Sequence, residues 1–489
     1  MSRVAAALLI SAAVLAAAPV PAQDGDIETK QYEDGGIYEG TFRDGRQHGT
    51  GTYRLPNGYE YSGDWVDGEI RGTGTARFPN GSVYEGEFAA GRPEGRGRIT
   101  YADGATFEGD WSAGVIDGTG LAVYANGVRY EGDFRRGSRH GQGRMETPTG
   151  YVYEGQWVDG EKEGQGRIAY PDGAIYEGGM ADGKRSGQGT LTLPDGLSYV
   201  GEWQDGEMTG TGILTQPNGD VYEGALVAGA RQGEGEVRYA DGSVYRGGFE
   251  QDRRHGTGTF TRPDGYSFTG TWEAGRIQGE GEAVYADGAT YTGMFRDDEP
   301  DGEGSIVYPD GSRYTGGWSQ GVISGEGSFT YENGAVYEGS FAAARPEGRG
   351  TLTLPDGTVY EGEWSDGVRQ GQGRISFPDG STYEGDFAGN LRDGTGTITY
   401  ADGSSYTGGW QDGVIHGEGV ARYANGDVYE GGFADGLRAG FGTVTYADGT
   451  RESGQWTAGA LTEPAEPETE AEGGDTAAEI ADPAAEAVE

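Results

Sequence analysis

Residues 84–106 have the sequence YEGEFAAGRPEGRGRITYADGAT, and this unit decides the fold. Its first residue, Tyr84, defines position 1 of the unit. An aromatic residue with glycine two places later returns every 23 residues from Tyr38 to Tyr429. A fixed period of this size indicates an array of structural repeats rather than a few separate globular domains.

Glycine recurs at positions 3, 8, 12, 14 and 21 of the unit. At position 21 it follows Asn or Asp in nearly every copy, as in Asp103-Gly104, and such pairs favour tight hairpin turns. Positions 14, 16 and 18 before this turn, and positions 1, 3 and 5 after it, alternate in the manner of half-buried strands, as in 97–101 and 84–88. Each unit is therefore predicted to contain two short antiparallel strands, joined by a tight turn at positions 20 and 21.

Aromatic residues supply the predicted core. All nine Trp, for example Trp65 and Trp111, occupy position 5, where the other copies carry Phe, Met or Leu. The chain is only 34% hydrophobic and contains 99 Gly among 489 residues, which excludes one large compact core. With 31 Tyr it is nevertheless too aromatic for simple disorder. We expect the rings of successive repeats to interlock and the glycines to let rings of neighbouring units lie across the backbone.

These patterns predict an all-β protein, namely an elongated single-sheet-type solenoid of about eighteen antiparallel hairpin repeats of 23 residues with a disordered acidic C-terminal tail. The predicted organisation is a signal peptide at 1–22, a linker at 23–30, the repeat array at 31–460 and the tail at 461–489. Arg3, the apolar stretch that follows it and the small residues before Gln23 are typical of a cleaved secretory signal. An uncleaved membrane anchor is the alternative.

The combination of Tyr-Glu-Gly, Gly-x-Gly and Asp/Asn-Gly at this period resembles the MORN repeat (membrane occupation and recognition nexus), as 84–88, 95–97 and 103–104 show. The resemblance covers about 31–459. It implies an extended array of β-hairpins that acts as a scaffold, associates with itself or with other proteins, and has been linked to membranes. Where members of the family are enzymes, a separate domain carries the chemistry.

The residues themselves indicate no catalytic, metal or cofactor site. The chain has no cysteine, which excludes thiol catalysis and disulfides. Its four histidines, His48, His140, His255 and His416, all occupy position 11 in separate repeats. In a linear array they cannot share one metal ion, and we interpret them as polar residues beside a turn.

A row of glutamates at position 2 is the candidate interaction surface. Period-two alternation places these residues on the face away from the rings, where they are expected to form an acidic stripe. The stripe is either a solvated surface or a binding surface for basic proteins or divalent cations. Its candidate residues are Glu39, Glu85, Glu108, Glu131, Glu154, Glu177 and Glu223.

A second candidate region lies between about residues 180 and 262, where Met180, Gln216, Leu226 and Arg262 replace aromatic residues in slots predicted to belong to the core. The alternation of Trp and non-Trp copies also slips here. The region is predicted to be either a bend or docking point, or a product of neutral drift or of recombination.

The sequence predicts a non-enzymatic scaffold or spacer that binds unidentified proteins, secreted across an inner membrane and most consistent with a periplasmic or envelope location. The net charge of -44 argues against nucleic acid and disfavours anionic lipid as a partner. Self-association is left open. The alternative function is binding of envelope glycans by exposed rings, which requires the following tyrosines to be exposed: Tyr101, Tyr124, Tyr170, Tyr239 and Tyr285.

Overall fold

A computed structural model describes residues 25–465 of the chain. Within this range the protein consists of 39 β-strands and has no helix, which confirms the predicted all-β fold of about eighteen repeats. The predicted signal peptide and the part of the predicted tail beyond Ala465 lie outside the described residues.

The contacts divide the chain into two units, one ending at Arg253 and the other beginning at Arg254. The strands of the first unit are β1 Glu28–Gln31, β2 Ile37–Arg43, β3 Arg46–Arg54, β4 Glu60–Val66, β5 Glu69–Arg77, β6 Val83–Ala89, β7 Arg92–Thr100, β8 Thr106–Ser112, β9 Val115–Val123, β10 Arg129–Arg135, β11 Ser138–Glu146, β12 Val152–Val158, β13 Glu161–Ala169, β14 Ile175–Ala181, β15 Lys184–Thr192, β16 Ser198–Gln204, β17 Glu207–Thr215, β18 Val221–Val227, β19 Ala230–Arg238 and β20 Val244–Glu250.

The strands of the second unit, the first of which begins one residue before the boundary, are β21 Arg253–Thr261, β22 Ser267–Glu273, β23 Arg276–Val284, β24 Thr290–Arg296, β25 Glu299–Val307, β26 Arg313–Ser319, β27 Val322–Thr330, β28 Val336–Ala342, β29 Arg345–Thr353, β30 Val359–Ser365, β31 Val368–Ser376, β32 Thr382–Ala388, β33 Leu391–Thr399, β34 Ser405–Gln411, β35 Val414–Arg422, β36 Val428–Ala434, β37 Leu437–Thr445, β38 Arg451–Thr457 and β39 Ala460–Pro464.

Within each unit every strand pairs antiparallel with the next strand of the chain, so that each unit is one open sheet in sequence order. In the repeat that begins at Tyr84, for example, Tyr84 of β6 lies opposite Ile99 of β7, and Ile99 lies opposite Phe107 of β8. The glycines at positions 3 and 14 are also cross-strand neighbours; Gly86, for example, lies opposite Gly97. One transverse row of glycine and one row of buried apolar residues therefore cross the strands.

Each repeat has two hairpin turns, and this corrects the prediction of one. The turn at positions 18–22 is present, with the Tyr101 N–H donating to the Ala105 carbonyl at 2.8 Å. The second turn is the two-residue connection at positions 7 and 8, where Ala90 and Gly91 have φ of 50° and 75°. Turns of this kind match the twist of paired strands because both central residues have positive φ. The second strand of the repeat therefore runs over positions 9–17, and position 18 belongs to the turn rather than to a strand.

The core is a zigzag of rings in edge-to-face contact. The ring of Tyr84 lies 5.0 Å from that of Phe88 in its own repeat and 5.1 Å from that of Trp111 in the next repeat. Its hydroxyl donates to the Glu87 carbonyl at 3.0 Å, and burial raises its pKa to about 12. A Cβ on Gly97 would overlap the Tyr84 phenol, so glycine is required where this ring crosses the backbone. The ring belongs to the same repeat as that glycine, whereas the sequence suggested rings of neighbouring units.

Arginines at position 10 join this core to the following repeat. The guanidinium of Arg139 lies 4.2 Å from the ring centroid of Trp157, and it also donates to the Gly160 carbonyl at 2.7 Å. Arg392 makes the corresponding contacts in the second unit, and burial lowers its pKa. A cation stacked on an aromatic face is attracted by the ring quadrupole, and the guanidinium suits this geometry because it is planar.

Four copies lack the position-8 glycine, and the structure shows how they keep the turn. Asp298 has a φ of 75° and accepts a hydrogen bond from the Ile277 N–H at 2.7 Å, while Asn390 does the same for the Arg369 N–H at 2.9 Å. Ala344 has a φ of 61° but no side-chain acceptor to compensate for this conformation. Left-handed backbone is unfavourable for alanine, so this turn is locally strained.

We expect Ala344→Gly to raise the opening free energy of its hairpin by about 0.5–1 kcal/mol, because glycine removes the left-handed penalty. Amide hydrogen exchange over 336–353 measures this effect. The matched control is Gly367→Ala, where φ is 83° and a new Cβ would meet Arg345 only at an ordinary 3.8 Å. It should cost about 1 kcal/mol. Loss of protection in Ala344→Gly would contradict the strain argument.

The C-terminal boundary of the array also differs from the prediction. Residues 461–464, which were assigned to the acidic tail, lie in β39 and pair with β38, for example Leu461 with Trp456. The array therefore continues four residues past 460. At the N-terminus it begins at Glu28, inside the predicted linker.

Candidate interaction surface

The predicted glutamates lie where the alternation placed them. All seven are exposed, on the face of the sheet opposite the rings, which is called here the open face. In the cross-strand register, position 2 of one strand faces position 15 of its neighbours, as Arg98 of β7 faces both Glu85 and Glu108. Positions 2 and 15 thus form one ladder across the strands, called here the outer ladder.

The outer ladder is less acidic than the glutamates alone suggest. Arg144 Nε lies 2.9 Å from Glu154 Oε1, and Arg167 Nε lies 2.9 Å from Glu177 Oε1. These pairs are exposed, so each contributes little to stability, but they place cations between the carboxylates. The stripe in this part of the first unit is therefore a ladder of mixed charge, created by the register across the turn at positions 18–22.

A second ladder on the open face combines positions 4 and 13, and it closes the bulge in those hairpins whose position 4 carries a carboxylate or amide, such as Asp64, Asp110 and Asp386. Between the Gly109–Gly120 and Trp111–Ile116 pairs, the second strand has three residues against one in the first strand. Asp110 lies opposite this bulge, and its Oδ2 accepts hydrogen bonds from the Thr119 N–H at 2.7 Å and from the Thr119 hydroxyl at 2.8 Å. The bulge leaves the Thr119 N–H without a cross-strand carbonyl, and the Asp110 carboxylate at position 4 accepts its hydrogen bond instead.

These two hydrogen bonds, from the backbone and the hydroxyl of Thr119, lower the pKa of Asp110, and Arg96 adds to the effect. A lowered carboxyl pKa stabilises the folded hairpin above the unfolded pKa of about 3.9. This stabilisation is lost as the pH falls through the lower folded pKa. An NMR titration is expected to place the midpoint of Asp110 below the ordinary Asp value. Asp110→Asn keeps an acceptor and should remove the pH dependence of Thr119 protection, and a midpoint at or above the ordinary value would contradict this account.

Shallow depressions follow the two ladders. One, of about 720 Å³, is lined by Gln142, Glu154, Gln156, Arg167 and Glu177, among others, and the backbone of the glycine row contributes to its surface. In the second unit, a depression of about 540 Å³ is lined by residues that include Glu338, Arg349 and Arg374. Both are open to solvent. Their lining offers many polar groups at regular spacing and no enclosed cavity that would sequester a small substrate.

The position-18 tyrosines lie at a different edge, in the turns. Tyr101 and Tyr124 are 38% and 39% exposed, which meets the requirement for a stacking surface. Tyr170, Tyr239 and Tyr285 are only half-buried, and the ring of Tyr285 packs 6.1 Å from that of Tyr266. Two of the five named rings thus satisfy the condition set for glycan binding.

The histidines do not converge. His48 accepts a hydrogen bond from the Asp67 N–H through Nδ1 at 3.3 Å, which links position 11 to the turn at positions 7 and 8 of the next repeat. Carboxylates at position 11 do the same, as Glu94 does for the Ala113 N–H at 2.7 Å. No group of three or more potential metal-ligating side chains occurs among the described residues. Position 11 therefore supports the neighbouring turn, a role visible only once that turn is known.

The candidate bend or docking region is regular in its strand pairing. Met180 and Leu226 fill the buried position-5 slot, and their strands keep the usual register. Gln216 and Arg262 occupy position 18 and keep the turn hydrogen bonds of their neighbours. Position 18 is not a core slot, so these two substitutions do not degrade the core, which corrects that part of the prediction. A docking role for this region remains a prediction.

This geometry defines an open β-sheet repeat scaffold. Among residues 25–465 no helix is long and apolar enough to span a membrane. The MORN repeat family model matches consecutive segments at 38–58, 61–83, 84–106, 107–129, 130–150, 153–175, 176–198, 199–221, 222–244, 245–265, 268–290, 291–313, 314–336, 337–359, 360–382, 383–405, 406–428 and 429–451. The chain therefore belongs to the MORN repeat family, as the sequence suggested, and this is a family of non-enzymatic repeat scaffolds suited to protein interaction.

None of the curated proteins matches the chain. Among solved structures, it is similar to the TCP domain of Drosophila melanogaster SAS-4 in complex with a proline-rich motif of Ana2, with 16% identity, coverage of 43% of this chain and 96% of that chain, and a TM-score of 0.22. The TCP10 domain of Danio rerio CPAP with a STIL peptide has 16% identity, coverage of 56% and 94%, and a TM-score of 0.14. Virginiamycin B lyase from Staphylococcus aureus has 10% identity, coverage of 64% and 93%, and a TM-score of 0.11. Such low TM-scores give no basis for transferring a ligand or an activity.

Proposed function

We propose that this protein is a non-enzymatic scaffold or spacer outside the cytoplasm, which binds other proteins through the open face. The observation that carries the proposal is the repetition of two exposed polar ladders on successive hairpins. A partner that contacts one repeat meets a similar set of groups one repeat further on. Weak contacts would then add up through avidity rather than through one deep pocket.

The mixed charge of the outer ladder gives the contact its expected character. Alternating carboxylates and guanidinium groups, as around Arg144 and Glu154, suit a partner surface that also carries both signs of charge. Exposed charges are screened over about a Debye length, so binding should weaken as salt is raised. A uniformly basic partner would fit better where the ladder lacks arginine.

Site-specific photo-crosslinking tests the proposal in the full chain. A photoreactive residue at Glu154 should give defined adducts in the native envelope. The matched control is the same photoreactive residue at Asp159, whose side chain is 81% exposed but lies in the turn at positions 7 and 8 rather than on the open face. Adducts at both sites alike, or at neither, would contradict binding through this face.

The location rests on the N-terminal sequence and is tested separately. Cleavage before Gln23 should give a mature chain whose N-terminal peptide is found by mass spectrometry of the envelope fraction. Deletion of residues 2–22 should retain the protein in the cytoplasm. Recovery of the intact N-terminus from membranes would support the anchor instead, while recovery of full-length protein from the cytoplasm would overturn export.

Glycan binding is the second candidate, and the exposed rings of Tyr101 and Tyr124 favour it. Aromatic faces at the edge of a sheet can stack on sugar rings. In co-sedimentation with purified cell wall, a Tyr101→Ser and Tyr124→Ser double variant should lose binding. Substitution of the neighbouring turn residues, Ala102→Ser and Ala125→Ser, should not. Absence of wild-type co-sedimentation would end this candidate.

A further inference from the structure

The N-terminal end of the described array is the second half of a repeat. β1 occupies positions 14–17, and it pairs with β2 in the register of every interior repeat, with Lys30 opposite Tyr38. The turn that follows keeps the interior hydrogen bonds, from the Tyr32 N–H to the Gly36 carbonyl at 2.8 Å and from the Gly35 N–H to the Tyr32 carbonyl at 3.0 Å. Among the described residues, β1 has no strand on its other side.

The C-terminal end of the described array is the first half of a repeat, and it complements the second half found at the N-terminal end. β38 begins at Arg451, one residue before position 1, and β39 ends at Pro464, which is position 13. These strands keep interior contacts, such as the hydrogen bond that the Trp456 indole donates to the Gly442 carbonyl at 3.1 Å. Among the described residues, β39 pairs only with β38. The array from Glu28 to Pro464 contains 437 residues, nineteen times the 23-residue period, so position 13 at one end is followed by position 14 at the other.

The two end strands carry opposite charges at matching slots. Position 1 and position 16 form the buried apolar row of the interior, as with Tyr429 and Val444. In the whole array the only acidic residue at position 1 is Glu452, and the only charged residue at position 16 is Lys30. Both are exposed in the single chain. In the register of an interior repeat, these two residues would be direct cross-strand neighbours.

The C-terminal end also has an open depression. It has a volume of about 690 Å³ and is lined by Tyr423, Arg438, Val444, Tyr446, Trp456 and Leu461, among others. In the interior, the turn at positions 18–22 of one repeat contacts the same turn of the next repeat. For example, the Ala447 N–H donates a hydrogen bond to Asp427 Oδ1 in the preceding turn at 3.0 Å. No such turn follows Tyr446 among the described residues.

We propose that the C-terminal end of one copy binds the N-terminal end of a second copy, so that two chains together build one complete repeat. β1 of the second copy pairs with residues 451–454 of β38, of which Gly454 lies opposite Pro464 of β39 in the single chain, and its turn covers the depression beside Trp456. The cross-strand neighbours at this junction are Gly454 with Glu28, Ser453 with Thr29, Glu452 with Lys30, and Arg451 with Gln31 of the second copy.

The junction exchanges some contacts of the single chain. The Ala465 N–H donates to the Ser453 carbonyl at 2.7 Å, and Pro464 lies opposite Gly454. Both contacts give way to the incoming strand. Glu452 also accepts a hydrogen bond from the Tyr446 hydroxyl at 2.7 Å, which Lys30 of the second copy would share or replace. Residues 25–27, which lie outside β1, leave their place beside Thr41. In return, two sheet edges that offer unpaired backbone groups become interior strands. Cross-strand pairs of opposite charge and of hydroxyl groups stabilise such a pairing.

Charge reversal in the mature full chain tests the junction by sedimentation velocity over a range of concentrations. The wild type should form assemblies larger than a dimer as its concentration rises. Lys30→Glu places two carboxylates at the junction, and Glu452→Lys places two ammonium groups there. Each variant alone should weaken association at least tenfold. An equimolar mixture of the two, or the double variant, should restore it, because opposite charges then meet again.

Restoration by the mixture requires that position 30 of one copy meets position 452 of another. A charge effect on folding, through the Tyr446 hydroxyl bound to Glu452 or the rings of Tyr32 and Phe42 beside Lys30, would instead lower the melting temperature of the single variants, and mixing them would not reverse it. A wild type that stays monomeric at all concentrations would overturn the proposal and would show that the two charges only protect open sheet edges. Association unaffected by either reversal would place the contact elsewhere. None of these results depends on the photo-crosslinking of the open face.

Discussion

Tyr84→Ala is expected to lower the opening free energy of its hairpin by about 3–5 kcal/mol, the range for removing a fully buried aromatic side chain. The ring has no exposed surface and contacts the rings of Phe88 and Trp111. Its loss therefore leaves a cavity between two repeats. Native-state hydrogen exchange over 83–100 is the proper measurement, because a repeat array does not unfold as one cooperative unit.

Two matched variants separate burial from hydrogen bonding. Tyr101→Ala removes a tyrosine of the same repeat that is 38% exposed, and it should cost about 1 kcal/mol or less. Tyr84→Phe removes only the hydroxyl and should cost about 1 kcal/mol. Phe107 already occupies the corresponding buried slot of the next repeat without a hydroxyl. Equal losses in Tyr84→Ala and Tyr101→Ala would contradict the assignment of position 1 to the core and position 18 to the surface.

Gly97→Ala should cost about 3 kcal/mol, although alanine is ordinarily favoured over glycine in a strand. The new methyl group would occupy the space of the Tyr84 phenol, which cannot move freely because its hydroxyl is bound to the Glu87 carbonyl. Urea-dependent hydrogen exchange of the same hairpin measures the loss. Gly91→Ala is the control, because a Cβ there meets nothing within 4 Å and only the positive φ of 75° opposes it.

A double-mutant cycle provides the decisive comparison. If Gly97 is conserved in its slot because of the ring, Gly97→Ala combined with Tyr84→Ala should cost less than the sum of the two by at least about 1 kcal/mol. The alanine methyl would then occupy part of the cavity. If the losses of opening free energy in the two single variants simply add in the double variant, the glycine is not required by the close approach of the phenol.

The sequence was sufficient to predict the repeat, the strand character and the face of each residue, because these depend on period and alternation. Tyr84 and Phe88 were correctly assigned to one side and Glu85 to the other. The turn at positions 7 and 8 was missed because Ala90-Gly91 lacks the Asn or Asp of a typical hairpin signal. Several copies, such as Asp44-Gly45, do carry that signal and could have revealed it.

The interaction surface was predicted only in part. Arg144 and Glu154 lie on the two sides of a turn that was predicted, but only the glutamates at position 2 were considered and not the position-15 residues opposite them, so the stripe looked uniformly acidic. The support of one repeat by the next, as Glu94 gives to the Ala113 N–H, depends on the missed turn at positions 7 and 8. The end of the array was misplaced because Leu461 is followed by acidic residues, whose composition outweighed the single apolar contact with Trp456.

The nine tryptophans provide an optical consequence of the packing. Each indole N–H donates to the carbonyl of the position-14 glycine in the preceding repeat, at 3.1–3.3 Å in every case. Five of the indoles also carry a guanidinium over the ring, namely Trp157, Trp203, Trp272, Trp410 and Trp456. The emission should therefore contain two classes of indole that share one hydrogen bond. Fraying from one terminus would reduce the intensity stepwise, so that intrinsic fluorescence would report the repeats still closed.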